Sequence, residues 1–274
     1  MANSRTLHTV ETMTRDLQNL GVTLGATLIV HSSLKSLGWV CGGPVAVIQS
    51  LMAALGPAGT LVMPTQSTNL SDPAEWETPP VPEEWWDTIR QSMPAYDRDL
   101  TPTFGMGIIP ETFRKGSGVF RSDHPQVSFA AWGEHSKSIV ADHALEQSLG
   151  EQSPLGKLYN ADANILLLGV AHDSNTSLHL AEYRAAYPGK AQVTKFAPVI
   201  RDGRREWVAF EDIDCDSSDF GEIGRDFEQR HAVLRGKVGE ADCVLASQRA
   251  MVDFAVNWLP RHRPGSLADS SRRE

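Results

Sequence analysis

The run Leu166–Tyr183, LLLGVAHDSNTSLHLAEY, sets two histidines and two carboxylates around the junction of an apolar stretch and a helix-like stretch. Imidazole exchanges a proton near neutral pH, and with a carboxylate to orient it can serve as a general base or a metal ligand. Leu166–Gly169 reads as a buried strand closed by glycine. Ser174, Asn175 and Thr176 are helix-capping types, and Leu178, Ala181 and Ala185 recur at helical spacing. The pattern predicts His172 and Asp173 in a loop at the strand's carboxyl end, and His179 one turn into the following helix.

A second histidine loop, His31-Ser32-Ser33-Leu34-Lys35, follows the apolar run Thr27–Val30 and leads into the turn Gly42-Gly43. Ligands of open α/β sheets collect beyond the carboxyl ends of the strands, where hydroxyls, a lysine and free backbone N–H groups can hold phosphate. Arg121-Ser122 and the hydroxyl- and glycine-rich Thr101–Gly107 could add donors. There is no Walker pattern and no GxGxxG, which removes the best support for an ATP or dinucleotide fold. The segment Glu211–Glu222, EDIDCDSSDFGE, crowds six carboxylates with no basic residue. Such a run is either a solvated face or a binder of cations. Its spacing lacks the glycine of a calcium loop, so an amine-bearing ligand suits it better.

These groups need a scaffold that brings distant loops together. Thr9–Leu20 and Pro44–Leu55 read as helices and Thr27–Val30 and Thr60–Met63 as strands. This β, α, β order implies parallel strands buried on both faces. Residues 66–103 hold six prolines, with Trp76, Trp85 and Trp86 among carboxylates that include Asp72 and Glu75. They have no apolar period and read either as a long substrate-side loop or as a surface excursion packed down by its own tryptophans. Further along, Gly107–Arg114 and Pro154–Tyr159 read as helices and Val119–Arg121 and Ser128–Ala131 as strands. Val193–Ile200 and Glu206–Phe210 form a hairpin, and helices follow at Asp219–Arg230 and Ser247–Leu259. The expected fold is a layered α/β domain over residues 1–260, with a mixed, largely parallel central sheet flanked by helices. A C-terminal hairpin and helices follow, and residues 261–274 are expected to be a disordered polar tail.

The net charge of −9 disfavours nucleic acid and favours cationic ligands. Cys41, Cys215 and Cys243 are far apart and in no CxxC spacing, so free thiols are expected. Without a bilayer-length apolar stretch or a signal-peptide pattern, a cytoplasmic location and no membrane partner are expected. One reading open at this point is a metal-dependent hydrolase using His172, Asp173, His179 and an acid from 211–222, although the spacing is unlike HExxH. Another is a non-catalytic protein that sequesters cationic sugars.

Several motifs together carry a family likeness: HSSLKSLGWVCGGP with ALGPAGTLVMPT, RSDHPQVSFAAWG, SPLGKL with LLLGVAHDSNTSLHLAEY, and FGEIGRDF with RGKVG. In this order, over nearly the whole chain, the sequence resembles the aminoglycoside 3-N-acetyltransferase family. The resemblance implies transfer of an acetyl group from acetyl-CoA to the 3-amino group of the deoxystreptamine ring, and with it antibiotic resistance, on a fold unlike the commoner acetyltransferase superfamily. His179, in the family's LHxAE motif, would be the general base, and Glu222 its acidic partner, with Asp216 or Asp219 as substitutes. The family's CoA side would comprise His31, Ser32, Ser33, Leu34, Lys35, Ser36, Thr103, Phe104, Gly107, Arg121 and Ser122. Asp72, Glu75, His172, Asp173, Glu211, Asp214, Asp216 and Asp219 would face the aminoglycoside. Direct attack by the amine needs no metal and no thiol, and the protein would work as a monomer or homodimer.

Overall fold

The unbroken apolar runs of the sequence become three adjacent parallel strands. A computed structural model describes residues 6–263. Its strands in chain order are β1 (Leu7–His8), β2 (Thr27–Ser32), β3 (Trp39–Val40), β4 (Thr60–Pro64), β5 (Phe120–Arg121), β6 (Phe129–Gly133), β7 (Asn164–Leu168), β8 (Gln192–Arg201), β9 (Arg204–Ile213), β10 (Leu234–Val238) and β11 (Ala241–Ser247). The helices are α1 (Val10–Leu20), α2 (Gly43–Leu55), α3 (Trp86–Ser92), α4 (Ile108–Phe113), α5 (Ser136–Val140), α6 (Pro154–Asn160), α7 (Ser177–Arg184), α8 (Phe220–Arg230) and α9 (Gln248–His262).

Seven strands form one mixed sheet in the order β10-β11-β7-β2-β4-β6-β5. Its centre, β7-β2-β4, is parallel, and β10-β11 and β6-β5 add antiparallel margins on either side. Strand periodicity divides the central side chains between two cores. Ile29, Val62, Ile165 and Leu167 pack with Leu178, Ile223, Phe227 and Met251 on the face covered by α5 to α9. Leu28, Val30, Leu61, Met63, Leu166 and Leu168 pack with Met13, Leu17, Leu51, Leu55 and Phe113 under α1, α2 and α4. Burial on both faces is why these strands read as continuous apolar runs.

The hairpin β8-β9 pairs along ten residues of each strand and stands outside the large sheet. Its turn places Asp202 at φ 49° and Gly203 at φ 73°, the left-handed pair that a two-residue hairpin turn requires. The region 66–103 is less irregular than its composition predicts. It contains α3 and folds against the hairpin through Tyr96 N to Pro198 O (3.0 Å) and Arg205 Nε to Met93 O (2.8 Å). The hairpin is held in turn by the buried Gln126, whose amide donates to Phe196 O at 2.9 Å.

Two sequence expectations change. The strands β10 and β11 were not foreseen, because β10, LRGKV, is an edge strand with four of its five residues exposed. The folded body also continues past residue 260: α9 runs to His262 and Arg263 docks into the site described next. The remainder of the expected tail, 264–274, lies outside the described residues. Among the described residues no helix is long and apolar enough to cross a membrane.

Candidate active site

The carboxyl ends of β7, β2 and β4 open into a cleft of about 890 Å3. From β2 it is lined by Val30, His31, Ser32, Ser33, Leu34 and Lys35, from β4 by Pro64 and Gln66, and from β7 by Val170, Asp173, Ser174, Thr176 and His179. Gly105–Pro110 forms the opposite wall, and Ser217 and Phe220 close one end. The two histidine loops are fastened side by side, since Ser33 N donates to Leu168 O (3.0 Å) and Ser36 Oγ to Gly169 O (2.9 Å). Gly169 sits at φ 70°, and a side chain there would overlap Ser36, so glycine lets the loops meet. Ser36, expected on the CoA side, is thus a tie between loops.

One turn of α7 builds the centre. Three residues apart on the helix, His179 and Glu182 share a face, and His179 Nδ1 lies 2.5 Å from Glu182 Oε2. Glu182 is fully buried, and its other oxygen accepts from Asp216 N (2.9 Å) and Arg263 Nη1 (2.6 Å). Burial alone would raise this carboxyl. The hydrogen bonds from His179, Arg263 and the Asp216 amide outweigh it and hold Glu182 below the usual carboxylate range. A carboxylate at Nδ1 selects the imidazole tautomer with its proton there, leaving Nε2 as the basic nitrogen. The Phe220 ring, centroid 4.8 Å away and tilted by 60°, packs beside the imidazole.

The residues anticipated from the sequence separate into distinct places. Glu222 is exposed on the first turn of α8 and does not meet His179; Glu182 occupies that role in the geometry. Asp219 binds Arg263 through both oxygens at 2.7 Å, and Asp216 folds back on Ser218 while its amide caps Glu182. His172 turns away from the cleft. Its Nε2 meets Glu228 at 3.0 Å beneath α8, where Gly224 approaches so closely that a Cβ would overlap the ring. Asp173 does reach the cleft.

Arg121 is a structural arginine and not a phosphate ligand. Only 5% exposed, it donates to the carbonyls of Thr65 (2.6 Å), Thr101 (2.5 Å) and Arg98 (3.2 Å) and to Ser128 Oγ (3.0 Å). Ser122 Oγ is likewise engaged by Phe129 N and His143 Nδ1, each at 2.9 Å. Of the 103–107 loop, Gly107 lines the cleft with Gly105 and Met106, whereas Thr103 N is bound to Glu111 and the exposed Phe104 stands outside the lining. Asp72 is paired with Arg90 (2.8 Å) and Glu211 with Thr194 (2.7 Å). Glu75 and Asp214 are exposed. Partial desolvation, then the charges of Asp72 and Asp214, raise the Glu75 carboxyl against the pull of Lys195.

The metal set drawn from the sequence is not assembled, because His172 and His179 contact different carboxylates. His179, Glu182 and Cys215 do offer three donor atoms within 4.8 Å of one another. They fit an ion poorly. His179 and Glu182 are already in direct hydrogen-bond contact, and burial, then the Glu182 charge, push the Cys215 thiol up to about 12, far from the thiolate a metal needs.

The sequence profile of the aminoglycoside 3-N-acetyltransferase family matches residues 29–260. The chain belongs to that family. It is 51% identical over 252 residues to the SPbeta prophage-derived aminoglycoside N(3')-acetyltransferase-like protein YokD of Bacillus subtilis, covering 92% of each chain. Its fold superimposes on the YokD crystal structure with a TM-score of 0.92, covering 94% of this chain and 95% of that one. Aminoglycoside N(3)-acetyltransferase VII of Streptomyces paromomycinus is 36% identical over 261 residues, with 90% of each chain covered. AAC-IIIb, solved as a binary complex with CoASH, matches with a TM-score of 0.84 at 30% identity over 95% of this chain and 99% of that one. Members of the family are acetyltransferases. The His179–Glu182 contact is absent from the expectations drawn from the sequence, although the i, i+3 spacing within LHLAE carries it.

Proposed function

We propose that this protein transfers the acetyl group of acetyl-CoA to the 3-amino group of an aminoglycoside's deoxystreptamine ring, and so gives resistance to the antibiotic. The observation that carries this reading is the pairing of half-buried His179 with buried Glu182 at the edge of a cleft whose walls come from two strand-end loops. The names of the relatives and the CoASH bound to AAC-IIIb support the substrates.

In this reading the thioester enters along His31–Lys35 and Gly105–Pro110, with Lys35 and backbone N–H groups toward the phosphates. The aminoglycoside enters from the side of Asp173 and the hairpin, where Glu75 and Asp214 remain exposed to meet its other ammonium groups. His179 Nε2 takes a proton from the amine as its nitrogen attacks the thioester carbon. The C–N bond forms, the C–S bond breaks, and the proton passes on to the departing thiolate. Glu182 holds the imidazole in the accepting tautomer and stabilises its protonated form, fixed in turn by Arg263. No covalent enzyme intermediate is required.

Release of CoA thiol, followed over a panel of aminoglycosides with NMR mapping of the acetylated nitrogen, tests the reading. Product acetylated at the 3-amino position is the expected outcome. Binding of aminoglycoside without thiol release would favour sequestration, and activity abolished by a chelator and restored by a metal would favour metal-dependent chemistry.

A further inference from the structure

We propose that the side chain of His31 is a catalytic hydrogen-bond donor for the acetyl oxygen of the thioester, an inference that rests on the acetyl-transfer reading above. His31 lies near the end of β2, two residues beyond Ile29 and therefore on the same sheet face, the face covered by α7 and α8. It lines the cleft together with His179, is only 6% exposed, and its buried Nε2 has no hydrogen-bond partner among the described residues. The neighbouring Ser32, also in the lining, has a buried hydroxyl without a partner among the described residues. An unpaired buried polar group costs about 1–3 kcal/mol, so two in succession on a cleft wall call for a ligand that completes them.

The charge state fits the task. Burial, then the nearby His172 and His179, push His31 down to about 3, which keeps it neutral wherever the amine chemistry runs. A neutral imidazole still carries one N–H, and it can polarise a carbonyl without repelling a cationic substrate. When the amine nitrogen attacks, the carbonyl π pair moves onto oxygen, and the His31 N–H donates a hydrogen bond to that oxyanion. His31 transfers no proton. The pair returns as the C–S bond breaks, and the amine proton follows the route through His179. His31 and His179 thus divide donor and base functions between the two loops.

The test compares wild type with His31→Leu, which removes the donor, and His31→Gln, which keeps an amide donor. Removing an oxyanion donor costs about 100-fold or more in turnover, so His31→Leu is expected to lose that much kcat with KM for acetyl-CoA changed by less than about threefold, and His31→Gln to recover part of the loss. Infrared spectra of bound acetyl-CoA labelled with 13C at the thioester carbonyl, taken without amine, should show a band lowered by wild type and restored toward its free position by His31→Leu. A kcat for His31→Leu within about threefold of wild type would overturn the proposal. So would equal losses in both variants with the carbonyl band unmoved. Wild type that releases no thiol with any amine would instead count against the acetyl-transfer reading itself.

Discussion

A histidine that accepts a proton from an amine needs one ring nitrogen free and the other fixed, and the fixing group must keep its own charge while buried. Glu182 meets the second requirement through three donors, His179, Arg263 and the Asp216 amide. Replacing the carboxylate by an amide turns an acceptor at Nδ1 into a competing donor and inverts the tautomer. Glu182→Gln is therefore expected to lower kcat by about 10³- to 10⁴-fold, close to the loss in His179→Gln, while CoA binding survives in both. Glu222→Gln should leave kcat within about twofold, since nothing links that exposed side chain to the reaction. Steady-state thiol release from the three variants checks the assignment, and equal activity of Glu182→Gln and wild type would remove Glu182 from it. The histidine was legible because helix caps and apolar spacing fix its place on α7. The i, i+3 spacing that pairs it with Glu182 is as local, but the acids crowd at 211–222, where the fold commits Asp212 to Lys195, Asp219 to Arg263 and Asp216 to Ser218 and leaves Asp214 and Glu222 to solvent.

At the scale of elements, α8 is seated by an absence of side chain. Gly224 lies against the His172 ring, and the chain His172–Glu228–Arg235 ties the helix to the edge strand β10. The same helix carries Phe220 against His179. Gly224→Ala is expected to destabilise the fold by about 1–3 kcal/mol through overpacking and to lower turnover as α8 and Phe220 are displaced. Adding His172→Ala should recover part of both losses, and a double variant no better than Gly224→Ala would place the strain elsewhere. Denaturant midpoints and kcat of the two variants provide the measurement. The central strands were readable because burial on both faces leaves unbroken apolar runs, and the hairpin because Asp202-Gly203 demands positive φ. The arginine of β5 misled for a physical reason: its residue type suits phosphate, whereas its hydrogen bonds to backbone carbonyls depend on a tertiary arrangement that no local pattern encodes.

For the molecule as a whole, three buried histidines set the response to acid. Burial, chiefly, pushes His31 down to about 3, His143 to about 4, and His124 well below its ordinary value. Each is depressed in the fold, so below its ordinary value of about 6.5 the unfolded chain takes up protons that the native chain refuses. Stability is complete above that pH and declines as pH falls toward the folded values. The urea midpoint should therefore drop clearly between about pH 7.5 and pH 5, and a level midpoint would contradict the burial of these rings in neutral form. Arg263 is the other whole-chain device, joining Glu182, Asp219 and Tyr187. Arg263→Ala leaves a buried carboxylate without its cation and should cost about 3–5 kcal/mol, read as a fall in Tm together with kcat.

That arginine follows Glu182 by 81 positions, across the hairpin and two further helices. A chain cut before Arg263 would keep both histidine loops, but the buried carboxylate behind the imidazole would lack its counter-ion. In the proposed mechanism, the pair that orients the base is thus complete only once Arg263, just beyond α9, has docked. On that mechanism, a chain trimmed before Arg263 is expected to lose turnover of acetyl-CoA before it loses the cleft that binds it.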